Sequence, residues 1–416
     1  MGEHYDVVII GAGQAGLAIG YHLSKNEHKY IILEKETSLT PAWRSRWDSF
    51  TLVLPNWTLQ MPDFPYQGDD PDGFLSREEM VEYLEQFAAT FNPEIRFDSK
   101  VTSVEKNPGG DAYLVRTDER TYEADNVVVA TGTFQGPKRP PFHTNISEKI
   151  TQLHTSEYRN PDVLPEGAIL VVGTGQSGCQ IAEELYQSGR KVYLCVGSAT
   201  RLPRFYRGKD SIWWLKKINF FDQTVDTLPS SRERFAGNPF LSGKGGGRSL
   251  DLHQFARDGV VLLGRLKNAQ DNKIFLEPDL MENLSKIDEF VDDVKQKIDE
   301  YIEVNNIDAE KRPDRVELRD GYDSQVIESL DLQAEGINTI IWAIGYHFDF
   351  SWVKLPVLDD DGYPKQNRGV TELPGLYFLG LHWLYKRRSG LPWGVGEDAA
   401  HIADDIVGRG SQRRDQ

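Results

Sequence analysis

Several features that would mark a disulfide scaffold, a membrane protein or a metalloenzyme are scarce in this chain. Only two cysteines occur among 416 residues, Cys179 and Cys195, and they form no C-x-x-C motif. Two cysteines are too few for a disulfide scaffold, and dithiol exchange within the chain is disfavoured. No apolar run approaches the roughly 20 residues that a membrane-spanning helix needs. The nine histidines fall in no metal-ligand spacing, so no metal site is predicted.

Positive charge is also in short supply. The chain has 47 Lys and Arg residues against 64 Asp and Glu residues, a net charge of −17. This acidity argues against a large surface for nucleic acid or for an anionic membrane. The hydrophobic share of 39% is ordinary for a globular protein, and the length suggests two or three domains. The first predicted strand begins within the first few residues with no signal peptide before it, so we expect a cytoplasmic protein.

The strongest positive signal is a dinucleotide-binding pattern near the start of the chain, in YDVVIIGAGQAG. An apolar strand, Val7–Ile10, leads into a G-x-G-x-x-G turn and then into a helical pattern. The first glycine permits the tight turn, the second lets a pyrophosphate approach the backbone, and the third lets the helix pack on the strand. The next strand, Tyr30–Leu33, ends at Glu34, where a carboxylate can accept a hydrogen bond from a ribose hydroxyl. The glycines are Gly11, Gly13 and Gly16. Because all the parts occur in order, a merely structural glycine-rich turn is disfavoured.

A second copy of the pattern occurs in AILVVGTGQSG, between a strand at Ile169–Val172 and a helix at Cys179–Ser188. Its glycines are Gly173, Gly175 and Gly178. The next strand, Lys191–Val196, ends in Gly197-Ser198 instead of an acid. Without a carboxylate there a 2′-phosphate is not repelled, so the pattern predicts NADPH, with NADH as the alternative. Three arginines come shortly after it, and they either hold that phosphate or form a solvated basic turn. They are Arg201, Arg204 and Arg207.

The segment 40–66 is rich in tryptophan and proline and can be interpreted in two ways. Its prolines rule out a long helix, and its tryptophans need a large apolar surface. These are Trp43, Trp47 and Trp57. The rings either plug the core or wall a flat aromatic cofactor. In the second case Arg44 and Arg46 face the phosphates of the cofactor or acidic partners.

Other elements are predicted from local patterns. An S-x-x-E capping box at Ser76 predicts a helix that runs to about Phe91. Lys100–Val104 and Tyr113–Thr117 alternate as the two strands of a hairpin. Residues 277–305 form an amphipathic helix that lies on its domain, with a lid or a dimer contact as the alternative.

With both fingerprints in order, the chain resembles the class B flavoprotein monooxygenases, in the flavin-containing monooxygenase branch with its YUCCA-type plant relatives. Residues 130–132 (ATG) and 343–346 (AIGY) look like the two crossings between domains in that family. Residues 54–66 (LPNWTLQMPDFPY) are similar to its segment with an asparagine, a methionine and Asp-Phe-Pro. The resemblance implies an α/β fold of two dinucleotide-binding Rossmann-like domains, with the NADPH domain inserted in the FAD domain. It implies an FAD-binding domain at 1–166 and 336–416, and an NADPH-binding domain at 167–335 with a divergent helical insertion.

The sequence patterns and the resemblance together predict the residues that hold each cofactor. The FAD residues are Gly11, Gly13, Gln14, Ala15, Gly16, Glu34, Lys35, Trp43, Arg44, Val101, Thr131, Gly132 and Gly380. The NADPH residues are Gly173, Gly175, Gln176, Ser177, Gly178, Arg201 and Arg204. Asn56 matches the asparagine near the flavin C4a and is the predicted catalytic residue. The N-terminus of a predicted helix at 394–406 can aim its N–H groups at a flavin carbonyl.

The activity implied is that of an FAD- and NADPH-dependent monooxygenase. It places one oxygen of O2 on a small organic substrate, a soft nitrogen or sulfur nucleophile or a carbonyl, through a C4a-hydroperoxyflavin that the Asn56 amide can stabilise. The expected partners are that substrate and O2, with no nucleic acid and no membrane, and a homodimer is one assembly that the resemblance allows.

Departures from the family pattern keep other activities open. The glycine pair of the family is Pro41-Ala42 here, and its linker signature survives only as His154 with Tyr158. The second departure argues against a typical Baeyer–Villiger enzyme. An NADPH-dependent FAD oxidoreductase that uses a quinone or another acceptor is the second interpretation, and a non-catalytic NADPH sensor is the third.

Overall fold

The computed structural model describes residues 3–312 and 317–414. The strands in chain order are β1 (Glu3–Ile10), β2 (Tyr30–Leu33), β3 (Gln60–Met61), β4 (Phe64–Pro65), β5 (Ile95–Arg96), β6 (Val101–Lys106), β7 (Tyr113–Thr117), β8 (Thr121–Val129), β9 (Gly136–Pro137), β10 (Thr151–His154), β11 (Ala168–Val172), β12 (Val192–Cys195), β13 (Phe205–Tyr206), β14 (Lys209–Asp210), β15 (Val261–Leu263), β16 (Leu266–Gln270), β17 (Lys273–Leu276), β18 (Ser329–Asp331), β19 (Ile337–Trp342), β20 (Tyr346–His347), β21 (Gln366–Asn367), β22 (Val370–Thr371) and β23 (Leu376–Phe378). The helices are α1 (Gln14–Lys25), α2 (Pro41–Arg44), α3 (Arg77–Ala89), α4 (Gln176–Gln187), α5 (Ser211–Lys217), α6 (Leu252–Arg257), α7 (Leu280–Val304) and α8 (Val395–Arg414).

The larger sheet has nine strands and draws on both ends of the chain. Its main path runs β21-β22-β23-β8-β1-β2-β5, and the hairpin β6–β7 joins it through β8. Strands β23, β8, β1, β2 and β5 are parallel, whereas β22 and β7 pair antiparallel to their neighbours. The last four residues of β1, which are apolar, are all buried, as expected for the central strand of a sheet covered on both faces. The sheet is therefore mixed, and the predicted α/β class is confirmed.

The smaller sheet is entirely parallel, in the order β10-β19-β11-β12-β15. Its strands come from residues 151–342, between the two parts of the larger sheet. β10 and β19 belong to this sheet, although the predicted bounds give both to the first domain. The reason is that β19 pairs with β11 on one side and β10 on the other. We therefore propose that the second unit spans residues 151–342.

Several local predictions are confirmed with shifted ends. Ser76 caps α3 in a capping box with Glu79, and β6 and β7 form the predicted hairpin. The long amphipathic helix is α7, whose buried side faces the domain. None of the helices in the described ranges combines the length and the apolar composition that a bilayer crossing requires.

Candidate active site

The turn between β1 and α1 leaves room above the helix N-terminus. Gly11 has φ +109°, and a Cβ added to it would lie 2.8 Å from the Ala130 carbonyl oxygen. A Cβ on Gly16 would lie only 1.9 Å from the Gly11 oxygen, so helix and strand are in close contact there. A Cβ on Gly13 meets no atom within 4 Å. Backbone packing therefore requires glycine at the first and third positions of the turn, whereas the space beside the second position is open.

Glu34 lies at the end of β2 and contacts this turn. Its side chain is buried and accepts hydrogen bonds from the Ala12 N–H (2.8 Å) and the Glu36 N–H (3.0 Å). Burial raises the pKa of this carboxyl, although the two backbone donors oppose the shift. Lys35 beside it is exposed and lies 3.6 Å from Glu36. The carboxylate is thus fixed next to the glycine turn, as the sequence predicts.

Two distant segments close the same end of α1. Gln14 donates to the Gly390 carbonyl (2.8 Å) and accepts from the indole N–H of Trp43 (3.0 Å). Gly380 has φ +79°, and a Cβ on it would lie 2.6 Å from the Ala15 Cβ. The structure therefore brings together the predicted FAD residues of the first turn, Trp43 and Gly380. Val101 begins β6, and Thr131 and Gly132 come just after the end of β8.

The turn between β11 and α4 repeats this geometry. Gly173 has φ +106°, and a Cβ on it would lie 2.7 Å from the Ala343 oxygen. A Cβ on Gly178 would lie 2.0 Å from the Gly173 oxygen, and one on Gly175 meets no atom within 4 Å. Ala343 thus takes the place that Ala130 has in the first turn. The second turn has the same backbone demands and the same open middle position.

The two turns differ in the residue at the end of the adjacent parallel strand. In the first turn, the Glu34 carboxylate after β2 accepts from the Ala12 N–H. In the second turn, the contact with the segment after β12 is made by the Thr174 hydroxyl, which accepts from the Gly197 N–H (3.0 Å). Gln176 pairs through its amide with the backbone N–H and carbonyl of Leu241, at 3.1 and 2.5 Å, and Ser177 is half-buried beside it. The second turn therefore carries no fixed negative charge of its own.

The arginines after β12 are held by acids. Arg201 pairs with Asp251 (3.3 Å) and Asp288 (3.0 Å). Arg204 is 1% exposed, pairs with Asp210 at 2.5 Å and donates to the Val53 carbonyl. A 2′-phosphate role for Arg201 or Arg204 stays a prediction, and it would require these ion pairs to open.

Arg207 and Arg44 are likewise paired with carboxylates. Arg207 lies 2.7 Å from Asp299. Arg44 is exposed and pairs with Glu85, and its predicted role at FAD stays a prediction.

Arg46 differs from these residues, because it has no such carboxylate partner within 3–312 and 317–414. The Arg46 guanidinium lies 4.6 Å from the Phe134 ring, and no ion pair joins it to a carboxylate within 3–312 and 317–414. Burial lowers its pKa. The ring of His154 lies 4.7 Å from the Tyr346 ring, and its Nε2 is 3.0 Å from the Gly345 carbonyl oxygen. Arg46 therefore carries an unneutralised charge where the ends of β8 and β19 approach each other.

Asn56 is buried and tied to a loop. Its amide donates to the Asp70 carbonyl (2.9 Å) and accepts from the Leu75 N–H (2.9 Å). The adjacent Trp57 ring lies 5.2 Å from the Trp393 ring, on the segment that leads into α8. Asn56 thus has a structural role in holding residues 70–75, and one of its two amide hydrogens is used there.

A charge network joins α7 to α6, to residue 322 and to the segment after β12. Asp288 on α7 accepts from His253 Nε2 (3.0 Å), from the Tyr322 hydroxyl (3.0 Å) and from Arg201 (3.0 Å). His253 Nδ1 accepts from the Gly321 N–H, which places the ring proton on Nε2. These partners lower the pKa of Asp288 to about 2, against the opposing effect of burial.

The network predicts a pH-dependent stability. Because the folded pKa of Asp288 is below the unfolded value of 3.8, its contribution is present above about pH 4 and is lost as the pH falls toward 2. We expect Asp288→Asn to lower the free energy of unfolding by about 2 kcal/mol at pH 7, with the difference shrinking below pH 4. Urea unfolding at several pH values measures this.

The matched control for that measurement is Asp292→Asn, on the same helix. Asp292 is 56% exposed and lies 3.6 Å from Lys295, so the loss of this surface ion pair is expected to have little effect. An equal loss of stability in both variants would contradict a special role for Asp288.

Two surface cavities lie away from both glycine turns. One of ≈500 Å³ is lined by residues such as Gly167, Arg190 and Glu335, at the opposite ends of β11 and β19. The other, of ≈330 Å³, lies between Tyr21, Asp63 and Phe91. Neither contains a residue assigned to a cofactor.

Comparisons with known proteins agree with this geometry. The family model described as pyridine nucleotide-disulphide oxidoreductase matches residues 8–216. An uncharacterised oxidoreductase CzcO-like of Geobacillus kaustophilus is 36% identical over 97% of this chain and 98% of its own length. The probable indole-3-pyruvate monooxygenase YUCCA3 of Arabidopsis thaliana is 27% identical over 98% of this chain and 88% of its own.

Solved structures share the fold. A flavin-containing monooxygenase from Stenotrophomonas maltophilia superposes with a TM-score of 0.66 at 19% identity, covering 98% of this chain and 99% of that one. The enzyme OTEMO, solved in complex with FAD and NADP, has a TM-score of 0.57 at 14% identity over 99% of this chain and 87% of its own. The chain therefore belongs to the pyridine nucleotide-disulphide oxidoreductase family and is a flavin-dependent oxidoreductase, with class B flavin monooxygenases among the proteins that it resembles.

Proposed function

We propose that this protein is an NADPH-dependent monooxygenase that transfers one oxygen of O2 to a small organic substrate, a soft nucleophile or a carbonyl. The observation that carries the proposal is the repeated glycine turn: two helix N-termini, each with an open middle glycine, differ in whether a carboxylate lies beside the turn. An enzyme that uses two different dinucleotides needs two such sites. One site accepts a ribose hydroxyl and the other tolerates a 2′-phosphate.

The residues around the first turn fit FAD. The open space at Gly13 lies at the N-terminus of α1, where backbone N–H groups and the helix dipole favour a pyrophosphate. Glu34 is fixed beside the turn and can accept from a ribose. Trp43, held by Gln14, provides an aromatic wall. The N-terminus of α8, where a Cβ on Gly396 would lie 3.2 Å from Pro62, supplies further backbone donors next to residues 56–62.

The residues around the second turn fit NADPH. Gly175 leaves the N-terminus of α4 open to a pyrophosphate, and the side chains of Gln176 and Ser177 stand in its first turn. No carboxylate occurs after β12 at the position that Glu34 occupies after β2. We also assign Arg46, which is unneutralised between the ends of β8 and β19, to the phosphates of NADPH.

FAD held at the first turn by Gly13, Glu34 and Trp43 would supply the redox chemistry, namely hydride acceptance and the activation of O2. The chain itself excludes water and provides hydrogen bonds. Trp57 and Trp393 pack edge to face beside Asn56, which shields that region from solvent. The second amide hydrogen of Asn56 is the donor that we assign to the oxygen being transferred. No acid–base pair is required, because the acceptor attacks as a nucleophile or is attacked at its carbonyl carbon.

The test is anaerobic reduction of the purified protein by NADPH, and then mixing with isotopically labelled O2 and a panel of sulfides, amines and ketones. A transient flavin species that is neither oxidised nor reduced, with one labelled oxygen in the product, supports the proposal. Direct return to oxidised flavin, with fast turnover on a quinone, would favour the reductase instead. If NADPH leaves the flavin oxidised, the protein acts as a sensor.

Replacing Asn56 by Ala separates its two roles. We expect flavin reduction by NADPH to remain within about twofold of wild type, while most of the NADPH consumed ends as hydrogen peroxide. The loss of both loop hydrogen bonds should also lower the melting temperature. Peroxide yield per NADPH and a melting curve measure the two effects.

Asn126→Ala is the matched control for this variant. Asn126 on β8 is 8% exposed, donates to the Asp6 carbonyl at 3.0 Å and is not assigned to either cofactor or to the transferred oxygen. It should lose stability but keep coupling. If Asn56→Ala is as well coupled as Asn126→Ala, Asn56 has only its structural role.

A further inference from the structure

The segment 386–388 carries three consecutive cations, and only two of them are neutralised. Lys386 lies 3.0 Å from Glu397 and 3.5 Å from Asp222. Arg388 contacts the same two carboxylates at 2.7 and 2.8 Å. Arg387 points away from this cluster, and no carboxylate pairs with it among residues 3–312 and 317–414.

Arg387 is instead stacked between aromatic rings. Its guanidinium lies 4.1 Å from the Phe220 ring and 4.5 Å from the Trp383 ring. Among the described residues, its side-chain hydrogen bonds are long ones to neutral amides, to Asn238 at 3.4 Å and to Gln223 at 3.3 Å. Its Nε is buried without a partner, and burial lowers its pKa to about 10. The guanidinium is therefore desolvated, held flat by the rings, and short of acceptors.

The position of Arg387 connects it to the proposed oxygenation site. A continuous row of rings runs from Trp57, next to Asn56, through Trp393 and Phe221 to Phe220, with centroid separations of 5.2, 5.3 and 5.4 Å. Arg387 lies at the far end of this row.

Backbone hydrogen bonds fix the segment that carries Arg387. The Arg387 N–H donates to the Gln223 carbonyl, and the Val225 N–H donates to the Tyr385 carbonyl. The arginine is thus placed rigidly where the loop after β23 meets the segment after α5.

We infer that Arg387 binds the carboxylate of the substrate, so that the enzyme acts on flat organic acids whose apolar part lies along the ring row toward Asn56. That the bound acid is the substrate of the enzyme rests on the proposed function. A planar guanidinium offers paired N–H donors that match a carboxylate, and its affinity is greatest where no protein acid competes.

The test uses the oxidised holoenzyme and two matched pairs of probes: benzoate with benzamide, and phenylacetate with phenylacetamide. Dissociation constants are measured by calorimetry, which requires no turnover, so a failure of oxygen transfer does not affect the result. We expect at least one acid to bind wild type about tenfold more tightly than its amide. Arg387→Gln should abolish this preference, and Arg387→Lys should keep part of it because the charge remains without the planar fork.

Two further measurements separate a local carboxylate site from a general charge effect and from a dinucleotide phosphate site. Arg232→Gln removes the same charge from an exposed side chain of the neighbouring segment and should leave the preference intact. The dissociation constant of NADP⁺ should stay within about twofold in Arg387→Gln. The inference is overturned if neither acid binds more tightly than its amide, or if the preference survives Arg387→Gln. It is equally overturned if that variant weakens only NADP⁺, since the anion would then be a dinucleotide phosphate.

Discussion

Gly13→Val is expected to give a folded protein that purifies without flavin. Gly13 has φ −84° and ψ −174°, an extended conformation that valine adopts without strain. A Cβ there meets no protein atom within 4 Å, so the fold should tolerate the side chain. The methyl groups would occupy the space at the N-terminus of α1 through which a pyrophosphate contacts the backbone. We expect FAD affinity to fall about 100-fold or more, read from the flavin-to-protein absorbance ratio.

Two comparisons make this result specific. The melting temperature of Gly13→Val should equal that of wild type stripped of flavin, because only ligand stabilisation is lost. Gly16→Ala, by contrast, places a Cβ 1.9 Å from the Gly11 oxygen and should fail to fold or melt much earlier. A Gly13→Val protein with full flavin content would show that the cofactor binds elsewhere.

The two glycine turns could be predicted because local geometry dictates them. A buried strand that turns sharply into a helix needs glycine at fixed spacings, whatever surrounds it, so the pattern is visible without knowledge of the fold. Glu34 is predictable for the same reason, since it sits at the end of the adjacent strand. The capping box at Ser76 is likewise a contact within four residues.

The partners of charged side chains could not be predicted in this way. Arg204 comes after the second fingerprint as a phosphate-binding residue would, but folding buries it against Asp210. In the run 386–388 the sequence shows three equal cations. The carboxylates that neutralise two of them come from Asp222, earlier in the chain, and Glu397, later in the chain. Only the folded structure therefore shows which cation is left without an ion pair.

Domain bounds were also hard to place, for a similar reason. The predicted bounds end the first part of the FAD domain just before β11 and resume it just before β19. Strand pairing over long separations decides the membership of β10 and β19, and no local pattern encodes it.

Gly175→Val is expected to keep its flavin, unlike Gly13→Val, and to give a yellow protein whose flavin NADPH cannot reduce. Gly175 has φ −68° and ψ 179°, and a Cβ there meets no atom within 4 Å, so this substitution matches Gly13→Val in conformation and space. It leaves the first turn untouched, so flavin content should remain at the wild-type level. The valine would block the N-terminus of α4, and anaerobic flavin reduction by NADPH should slow about 100-fold or more at a fixed concentration. Dithionite, which needs no binding site, should still bleach the flavin fully, which shows that the flavin itself is intact. If both valine variants lost flavin, or if Gly175→Val were reduced normally, the assignment of one dinucleotide to each turn would have to be abandoned.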